Sequence, residues 1–226
     1  MAHTQRLTDT IVYRPGDYWR RPDIAEQYDS GRFDSLKGRL YRRREERAIE
    51  RALHGVAPGS RVLDAACGTG RITALLQRAG FRACGCDIST AMMAVARRRL
   101  ISFGYDDVPL TECSVERLPY ADGSFDAATC IGLLMHLDAD VRVRALRELA
   151  RVSRGRIVVQ YGCVDVFQRI GARFTHRQPG QVRFPVTEPE MLEDLRRSGL
   201  TLVARFWAMR GLSSSLILRL SRTVKP

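Results

Sequence analysis

The apolar residues of this chain change their spacing around a short stretch rich in glycine. Residues 62–64 (Val-Leu-Asp) have the apolar, β-branched character of a buried strand that ends in an acidic residue. Gly68 and Gly70 follow, and glycine permits both a tight turn and a close approach of the backbone to a ligand. Apolar residues then recur at helical spacing over residues 71–79. The pattern predicts a strand, a glycine loop and a helix, the arrangement of a nucleotide-cofactor site.

The alternation of apolar runs and helical stripes continues toward the C-terminus. After a second strand, Ser89, Asp138 and Thr187 are suitable N-caps for three helices, and Glu190 stands at the capping-box position of the last one. Alternating strands and helices are typical of an α/β fold with a parallel, doubly wound sheet. The remaining predicted strands cover residues 108–113, 125–131, 156–161, 200–209 and 216–220.

Ahead of the first strand, the chain divides into an aromatic, polar start and a helix. Residues 1–35 interleave aromatic residues with proline and glycine, and residues 35–53 have apolar positions near helical spacing. We expect an N-terminal helical cap over residues 1–57 and one globular unit over residues 58–226, because α/β folds of this length are often single. Residues 162–187 have the least regular pattern and are interpreted as a substrate-side insertion.

The spacing within the glycine loop distinguishes three kinds of cofactor site. A phosphate loop has the form GxxxxGK[ST], and neither the lysine nor the hydroxyl follows Gly70. A dinucleotide site has the form GxGxxG, whereas here Asp64 stands four residues before Gly68. An acidic residue beside the turn would repel a pyrophosphate. It suits a cationic ligand that carries an amine and a sulfonium.

Residues 62–70 and 116–126 resemble two motifs of the class I S-adenosylmethionine-dependent methyltransferases. The first, VLDAACGTG, is similar to the family's hhDxxCGxG motif, and the second, ERLPYADGSFD, to the ExLPFxDxSFD run of the type 11 subgroup. That subgroup includes the ubiquinone and menaquinone biosynthesis methyltransferases. The resemblance covers about residues 58–161. It implies a Rossmann-like sheet of seven strands in the order 3-2-1-4-5-7-6, with the last strand antiparallel.

The resemblance also implies S-adenosylmethionine as the cofactor and a set of residues that hold it. Asp87, 17 residues after Gly70, is expected on the ribose hydroxyls, because a carboxylate can accept both hydroxyl protons. Ile88 and Met92 are expected to give apolar contact with adenine, although ordinary helix packing explains Met92 equally well. The expected cofactor residues are Tyr28, Asp64, Ala65, Cys67, Gly68, Gly70, Asp87, Ile88, Met92, Ser114, Val115 and Ile131.

The chain departs from the subgroup's pattern at Ser114. The subgroup usually has an aspartate there, two residues before the glutamate, where it meets the adenine amino group. A hydroxyl accepts a hydrogen bond more weakly than a carboxylate does. We therefore expect the adenine pocket to depend more on the backbone around Ser114 and Val115.

Aromatic and histidine side chains supply candidates for the cover of the site and for its chemistry. Residues 24–29 (IAEQYD) are similar to the AxxYD element with which the family closes over the cofactor, so Tyr28 is expected beside the cofactor. The alternative is an aromatic anchor for the N-terminal helix. His136 follows the fourth strand, where open α/β sheets place ligands, and is the candidate general base. Its alternative is a local hydrogen bond in an apolar loop. Tyr161 and His176 are weaker candidates for substrate contact.

The six cysteines are expected to be reduced and mostly buried in strands. Cys84 and Cys86 form a CxC pair, but no second Cys/His cluster follows, so no metal site is expected. Cys67 is interpreted as packing near the ligand rather than as a nucleophile. Neither an apolar stretch of about 18 residues nor a secretory hydrophobic region is found, which favours a cytoplasmic location.

Positive charge is concentrated in the C-terminal part of the chain. The net charge of +12 divides into +3 for residues 1–58, zero for residues 59–135 and +9 for residues 136–226. A basic block of this kind attracts an anionic substrate, a lipid headgroup surface or nucleic acid. The alternative is a compositional bias, because 35 of the 37 basic residues are arginine. The charged run at residues 42–47 is interpreted as a solvated helix face.

The sequence therefore favours an S-adenosylmethionine-dependent methyltransferase that acts on an oxygen or nitrogen atom of a small metabolite. A quinone precursor, a sugar or a secondary metabolite of anionic or aromatic character would serve as the acceptor, and the transfer would be an in-line displacement. One alternative is a lipid or anionic macromolecule recruited by the basic C-terminal part, with contact to a membrane surface. Another is a cofactor-binding regulatory subunit without catalysis. No aromatic-basic nucleic-acid motif is found.

Overall fold

The computed structural model describes residues 18–163, 186–209 and 215–223. Most of the predicted substrate-side insertion at residues 162–187, including His176, lies outside these residues. The first 17 residues of the predicted cap also lie outside them.

Seven strands form one sheet in the order β3-β2-β1-β4-β5-β7-β6, which confirms the predicted strand order. The pairs from β3 to β5 are parallel, whereas β7 runs antiparallel to both β5 and β6. The strands are β1 (Arg61–Ala65), β2 (Arg82–Asp87), β3 (Leu110–Glu112), β4 (Phe125–Cys130), β5 (Ser153–Gly162), β6 (Leu200–Trp207) and β7 (Ser215–Arg222).

Within the described residues, six helices accompany the sheet, and a short 3-10 turn at Leu134–His136 follows β4. Three of the predicted N-caps are in place. Ser89 accepts a hydrogen bond from the amide of Met92, Asp138 accepts one from Val141, and Thr187 forms the capping box with Glu190. The helices are α1 (Pro22–Phe33), α2 (Leu36–Leu53), α3 (Arg71–Arg78), α4 (Thr90–Ser102), α5 (Ala139–Val152) and α6 (Glu188–Ser198).

The third and fifth strands differ in length from the prediction. Strand β3 has three residues instead of six, because Pro109 has no amide hydrogen to donate and Val108 packs instead in a small apolar cluster. Strand β5 begins earlier, at Ser153, which pairs with Phe125 of β4. It is also longer at its far end, where it pairs with β7.

Successive residues of the central strands enter two different hydrophobic cores. Leu63 and Ala128 face a cluster that includes apolar residues of α5 and α6, whereas Val62 and Ala127 face a second cluster. Helix α2 contributes four residues to that second cluster, so it covers the sheet directly. Burial on both faces explains why these strands are apolar throughout. The carboxyl ends of β1, β2 and β4 meet at one edge, where open α/β sheets bind ligands.

Candidate active site

The glycine loop between β1 and α3 turns through left-handed backbone conformations. Ala66, Gly68 and Gly70 have φ angles of 58°, 53° and 75°, and Ala66 is the only non-glycine residue with positive φ in the described part of the chain. A Cβ atom at Gly70 would lie 2.8 Å from the Cβ of Ala96 on α4. At Gly68 a Cβ would meet nothing within 4 Å. Gly70 therefore lets the turn pack against α4, while Gly68 leaves the ligand side of the loop open.

Asp87, at the end of β2, is fixed by two backbone amides. Its Oδ2 accepts from Gly68 N at 2.8 Å and its Oδ1 accepts from Ser89 N at 2.9 Å. Burial raises the pKa of Asp87, and these hydrogen bonds partly oppose that rise. Each oxygen retains a second lone pair. The carboxylate can therefore accept two more hydrogen bonds from a ligand, as a ribose with adjacent hydroxyls requires.

Asp64, at the end of β1, is almost fully buried and is held by two threonine hydroxyls. Thr73 Oγ1 donates to Oδ2 at 2.7 Å, and Thr129 Oγ1 donates to Oδ1 at 3.0 Å. Burial raises the pKa of Asp64 to about 6. Neither Thr73 nor Thr129 was predicted from the sequence. The sequence feature that could have identified them is a hydroxyl residue within a mainly apolar stretch, in α3 for Thr73 and in β4 for Thr129.

One cavity of about 300 Å³ lies along this edge of the sheet. Residues 113–116, Ile88 and Met92 line it, and residues 113–116 and Ile88 directly follow the carboxyl ends of β3 and β2. Ser114 Oγ accepts from the amide of Glu116 at 3.2 Å. Met92 is 3% exposed, so it both lines the cavity and packs in the core. The expected site residues that line the cavity are Tyr28, Asp64, Cys67, Gly68, Asp87, Ile88, Met92, Ser114, Val115, Ile131 and His136.

Ala65 and Gly70 are expected at the cofactor, but neither is part of this lining. Ala65 has no exposed surface and faces the core beside Leu63, because neighbouring strand residues point to opposite faces. Ala66, the next residue, lines the cavity instead. Gly70 faces α4, as described above, and so shapes the loop from outside the cavity.

Trp19, Tyr28 and His136 form an aromatic cluster that lines the cavity. The Trp19 ring meets Tyr28 edge-to-face at 5.5 Å and His136 at 5.4 Å between ring centroids. The Ser89 hydroxyl donates to the Trp19 carbonyl at 2.6 Å, which fixes the cluster to the end of β2. His136 is 5% exposed and lines the cavity. The sequence placed Tyr28 and His136 at the site but gave no reason to choose Trp19 among several N-terminal aromatic residues.

Helix α1 also contacts the glycine loop through Asp29. Thr69 Oγ1 donates to Asp29 Oδ2 at 2.8 Å. Arg99 of α4 forms an ion pair with the same carboxylate and donates to the Thr69 carbonyl at 2.8 Å. The cap helix, the loop and α4 are thus joined at one point.

Glu45 of α2 is fully buried, which corrects the interpretation of residues 42–47 as a solvated face. Arg71 Nη2 donates to Glu45 Oε2 at 2.5 Å, and Arg32 Nη2 lies 3.8 Å from Oε1. Both arginines line the cavity. The signal in the sequence is the spacing of Glu45 from Ala48, Ile49 and Ala52, which places it on the buried stripe of α2.

Tyr161 does not reach the cavity. It is fully buried, and its hydroxyl donates to Asp194 Oδ2 of α6 at 3.1 Å. Arg142 of α5 is also buried, and its Nε donates to the same Oδ2 at 2.7 Å. Tyr161 therefore joins β5 to the two helices beside it and is not a substrate contact.

The cysteines are all free thiols. Cys67 lies in the glycine loop and lines the cavity, and burial raises its pKa well above the usual value for a thiol. A thiol in this state is a poor nucleophile, so its contribution is packing. None of the helices in the described part of the chain combines the length and apolar character needed to cross a bilayer.

Known proteins to which this chain is similar in sequence are methyltransferases. A profile of the methyltransferase domain matches residues 62–155. The demethylmenaquinone methyltransferase of Corynebacterium kroppenstedtii is 31% identical over 195 residues, which cover 80% of this chain and 77% of that protein. The corresponding protein of Beutenbergia cavernae is 39% identical over 141 residues, covering 61% of this chain and 54% of that one. The chain spans about half the length of the first curated relatives that it matches.

Solved structures share the fold. Magnesium protoporphyrin IX methyltransferase from Synechocystis PCC 6803, with bound S-adenosylhomocysteine, superimposes with a TM-score of 0.68 at 19% identity. That match covers 88% of this chain and 98% of the other. At this identity the likeness concerns the fold alone, while the curated relatives establish the family. The chain therefore belongs to the class I S-adenosylmethionine-dependent methyltransferases, in the branch that contains the demethylmenaquinone methyltransferases.

Proposed function

We propose that this protein transfers the methyl group of S-adenosylmethionine to a small aromatic metabolite. The proposed acceptor atom is an oxygen or a nitrogen. The observation that carries the proposal is the aromatic cluster of Trp19, Tyr28 and His136 above the cavity that Asp87 and the glycine loop form. Flat aromatic walls suit a flat acceptor, since offset or edge-to-face ring contacts are favourable. The names of the curated relatives make a quinone precursor the first acceptor to test.

The residues of the cavity would have separate roles in an in-line displacement. The cofactor supplies the methyl group, and the enzyme has to align the donor with the acceptor and exclude water. Asp87 would hold the ribose hydroxyls, and Asp64 would stabilise the positively charged part of the donor. Residues 113–116 would surround the adenine.

His136 is the proposed general base. It lines the cavity beside Trp19, and an acceptor hydroxyl or amine that attacks the methyl carbon loses a proton. The 3-10 turn carries His136, and the Trp19 ring packs against the imidazole. A base in this position would receive the proton as the new bond forms, and the donor would leave as the neutral thioether.

An anionic macromolecular acceptor has less support. Four arginines of the basic C-terminal part form ion pairs with acids of the protein, so an anionic partner would have to compete with those acids for their guanidinium groups. A lipid headgroup surface remains the partner that flotation of the protein with anionic vesicles at low and high salt would test. Binding that weakens with salt would favour this second acceptor class.

The proposal is tested by incubating the protein with S-adenosylmethionine and a panel of reduced quinone precursors, phenols and amines. Release of S-adenosylhomocysteine that depends on the acceptor supports it, and nuclear magnetic resonance of the product identifies the methylated atom as oxygen, nitrogen or carbon. Turnover only with a lipid or polymeric acceptor would replace it. Cofactor binding without turnover on any acceptor would favour a regulatory subunit.

A further inference from the structure

Helix α2 buries one side along its length and exposes the opposite side. The buried side includes Glu45, Ile49 and Ala52. Residues three and four apart are neighbours on a helix surface, so the exposed side contains a continuous stripe. The members of this stripe, which we call the outer stripe, are Leu36, Leu40, Arg43 and Arg47.

The two leucines of the outer stripe form an exposed apolar tip at the start of α2. Leu36 is 77% exposed and Leu40 is 45% exposed. A single exposed leucine is common on a protein surface, but here two lie next to each other on successive turns. Two side chains are too few for a stable protein interface, which buries about 800 Å² on each partner.

Exposed cations surround the leucines on the same side of the helix: Lys37, Arg39, Arg43, Arg44 and Arg47. Within the part of the chain that the structure describes, none of these five forms an ion pair with an acid. Glu46 pairs with Arg42, at 3.7 Å, and Glu50 lies beyond Arg47, at the far end from the leucines. The charge around the apolar tip is therefore largely unneutralised.

An anionic bilayer surface matches this combination of side chains. In helices that lie at a membrane interface, apolar side chains enter the boundary between headgroups and acyl chains, while lysine and arginine contact lipid phosphates. A second copy of this chain would bring like charges together, which is unfavourable. Single-stranded nucleic acid is bound largely by stacking on aromatic side chains, and the outer stripe has none.

The opposite side of the same turns contacts the cap helix α1. A Cβ atom at Gly38 would lie 2.6 Å from the carbonyl oxygen of Arg32, so the two helices touch there. Arg32 and Tyr28 of α1 line the cavity. One helix thus separates the outer stripe from the cavity, and a partner bound to the stripe lies close to the site.

We propose that the outer stripe of α2 docks the protein on the surface of an anionic lipid bilayer. Leu36 and Leu40 enter the headgroup region, and the cations around them contact lipid phosphates. This surface is separate from the basic C-terminal part, where Arg196, for example, pairs with Glu193 at 2.6 Å. The assignment does not depend on which acceptor is methylated, and it does not make a lipid the acceptor.

The first test is sedimentation of the protein with vesicles of phosphatidylglycerol and phosphatidylcholine at low and high salt. Two double variants are compared with the unmodified protein: Leu36→Ser with Leu40→Ser, and Arg43→Gln with Arg47→Gln. Each should lower the partition coefficient by about tenfold or more, because one removes the apolar tip and the other removes two cations. The arginine variant should also depend less on salt. Since all four side chains are exposed, both variants should keep the melting temperature of the unmodified protein.

The second test locates the bilayer on the protein surface. Leu40→Trp places a fluorophore on the outer stripe, and Leu192→Trp places one on α6 in the basic C-terminal part. The two leucines are matched, with exposed fractions of 45% and 42%. Brominated lipids quench a tryptophan that enters the bilayer. Relative to the unmodified protein, Leu40→Trp should add a quenched signal and Leu192→Trp should add one that brominated lipids do not quench.

Four results would overturn the assignment. The first is no binding of the unmodified protein to the anionic vesicles at low salt, and the second is quenching of Leu192→Trp in place of Leu40→Trp. The third is vesicle binding that the arginine variant loses and the leucine variant keeps, which would mean attraction by charge without insertion. The fourth is a dimer, seen by sedimentation velocity, that the leucine variant dissociates, which would give the stripe to a second copy. These measurements use neither cofactor nor acceptor, so the proposed function can fail while the docking surface stands.

Discussion

Asp29 of the cap helix accepts a hydrogen bond from Thr69 of the glycine loop, with 2.8 Å between Oδ2 and Oγ1. The bond spans 40 residues of sequence and is the point at which the cap meets the cofactor loop. A loop that is held in its binding conformation before the ligand arrives loses less conformational entropy on binding.

Asp29→Ala should therefore weaken the binding of S-adenosylmethionine by about tenfold, since a charge-assisted hydrogen bond contributes about 1.5 kcal/mol or more. Hydrogen exchange of the amides of residues 66–70 should become faster in the same variant. Glu26→Ala is the control. Glu26 also joins α1 to α4 through Arg98, but both side chains are more than half exposed, and exposed pairs contribute little. Equal effects of the two substitutions would show that the contact with the loop has no special role.

His136→Gln should lower the rate of methyl transfer by about a hundredfold or more, because general-base catalysis contributes about 10²–10⁴. Cofactor affinity should change little, since His136 lies beside Trp19 rather than among the residues that surround the adenine and the ribose. Single-turnover kinetics with saturating cofactor provide the measurement. An unchanged rate at all pH values would remove His136 as the base.

Asp64 should make the folded protein less stable as the pH rises. Its pKa is about 6 in the folded state, above the ordinary value of 3.8 that an unfolded chain has. The folded state therefore holds the proton more tightly, so this contribution to stability is complete below the unfolded pKa and is lost as the pH rises through about 6. Asp64→Asn should remove this loss.

Urea unfolding of both proteins between pH 4 and pH 8 is the measurement. The free energy of unfolding of the unmodified protein should fall relative to that of Asp64→Asn across this range. Parallel curves for the two proteins would show that the carboxyl group of Asp64 has the same pKa in the folded and unfolded states.

Ala66→Gly should stabilise the ligand-free protein by about 1 kcal/mol. Ala66 has a φ of 58°, and a left-handed conformation costs a residue with a Cβ about 1–2 kcal/mol, part of which the extra freedom of glycine in the unfolded chain cancels. Thermal unfolding measures the change, with Ala65→Gly as the control. Ala65 is a buried strand residue, so that substitution should destabilise. A lower melting temperature for Ala66→Gly would contradict this account of the turn.

The central strands and the glycine loop could be predicted from the sequence because both leave local signals, whereas the strand order was implied by the resemblance to the methyltransferase family. Apolar runs mark the central strands, and the spacing of Asp64, Gly68 and Gly70 is local to one turn. Ser89 and Asp138 were recognised as caps for the same reason, since a cap acts on amides of its own helix. The predicted length of β3 was wrong because Pro109 interrupts the strand, although the hydrophobic pattern of residues 108–113 is continuous.

The polar residues of the cavity were harder to predict from the sequence. Arg32, Glu45 and Arg71 come from three helices, and only the packing of those helices brings their charges together. Glu45 lies within a run of charged residues, and its burial shows only in its spacing from the apolar residues of α2. Trp19 is fixed by a hydrogen bond from Ser89, 70 residues away in the sequence. Such contacts depend on tertiary structure and cannot be derived from a local pattern.

The most direct test of the central claim is a calorimetric titration of S-adenosylmethionine into the unmodified protein and into Asp87→Ala. The account predicts one binding site per chain, with an affinity that the substitution lowers by about tenfold or more through loss of hydrogen bonds to a charged group. Absence of binding to the unmodified protein, or equal binding to both proteins, would contradict the assignment of this cavity as the cofactor site.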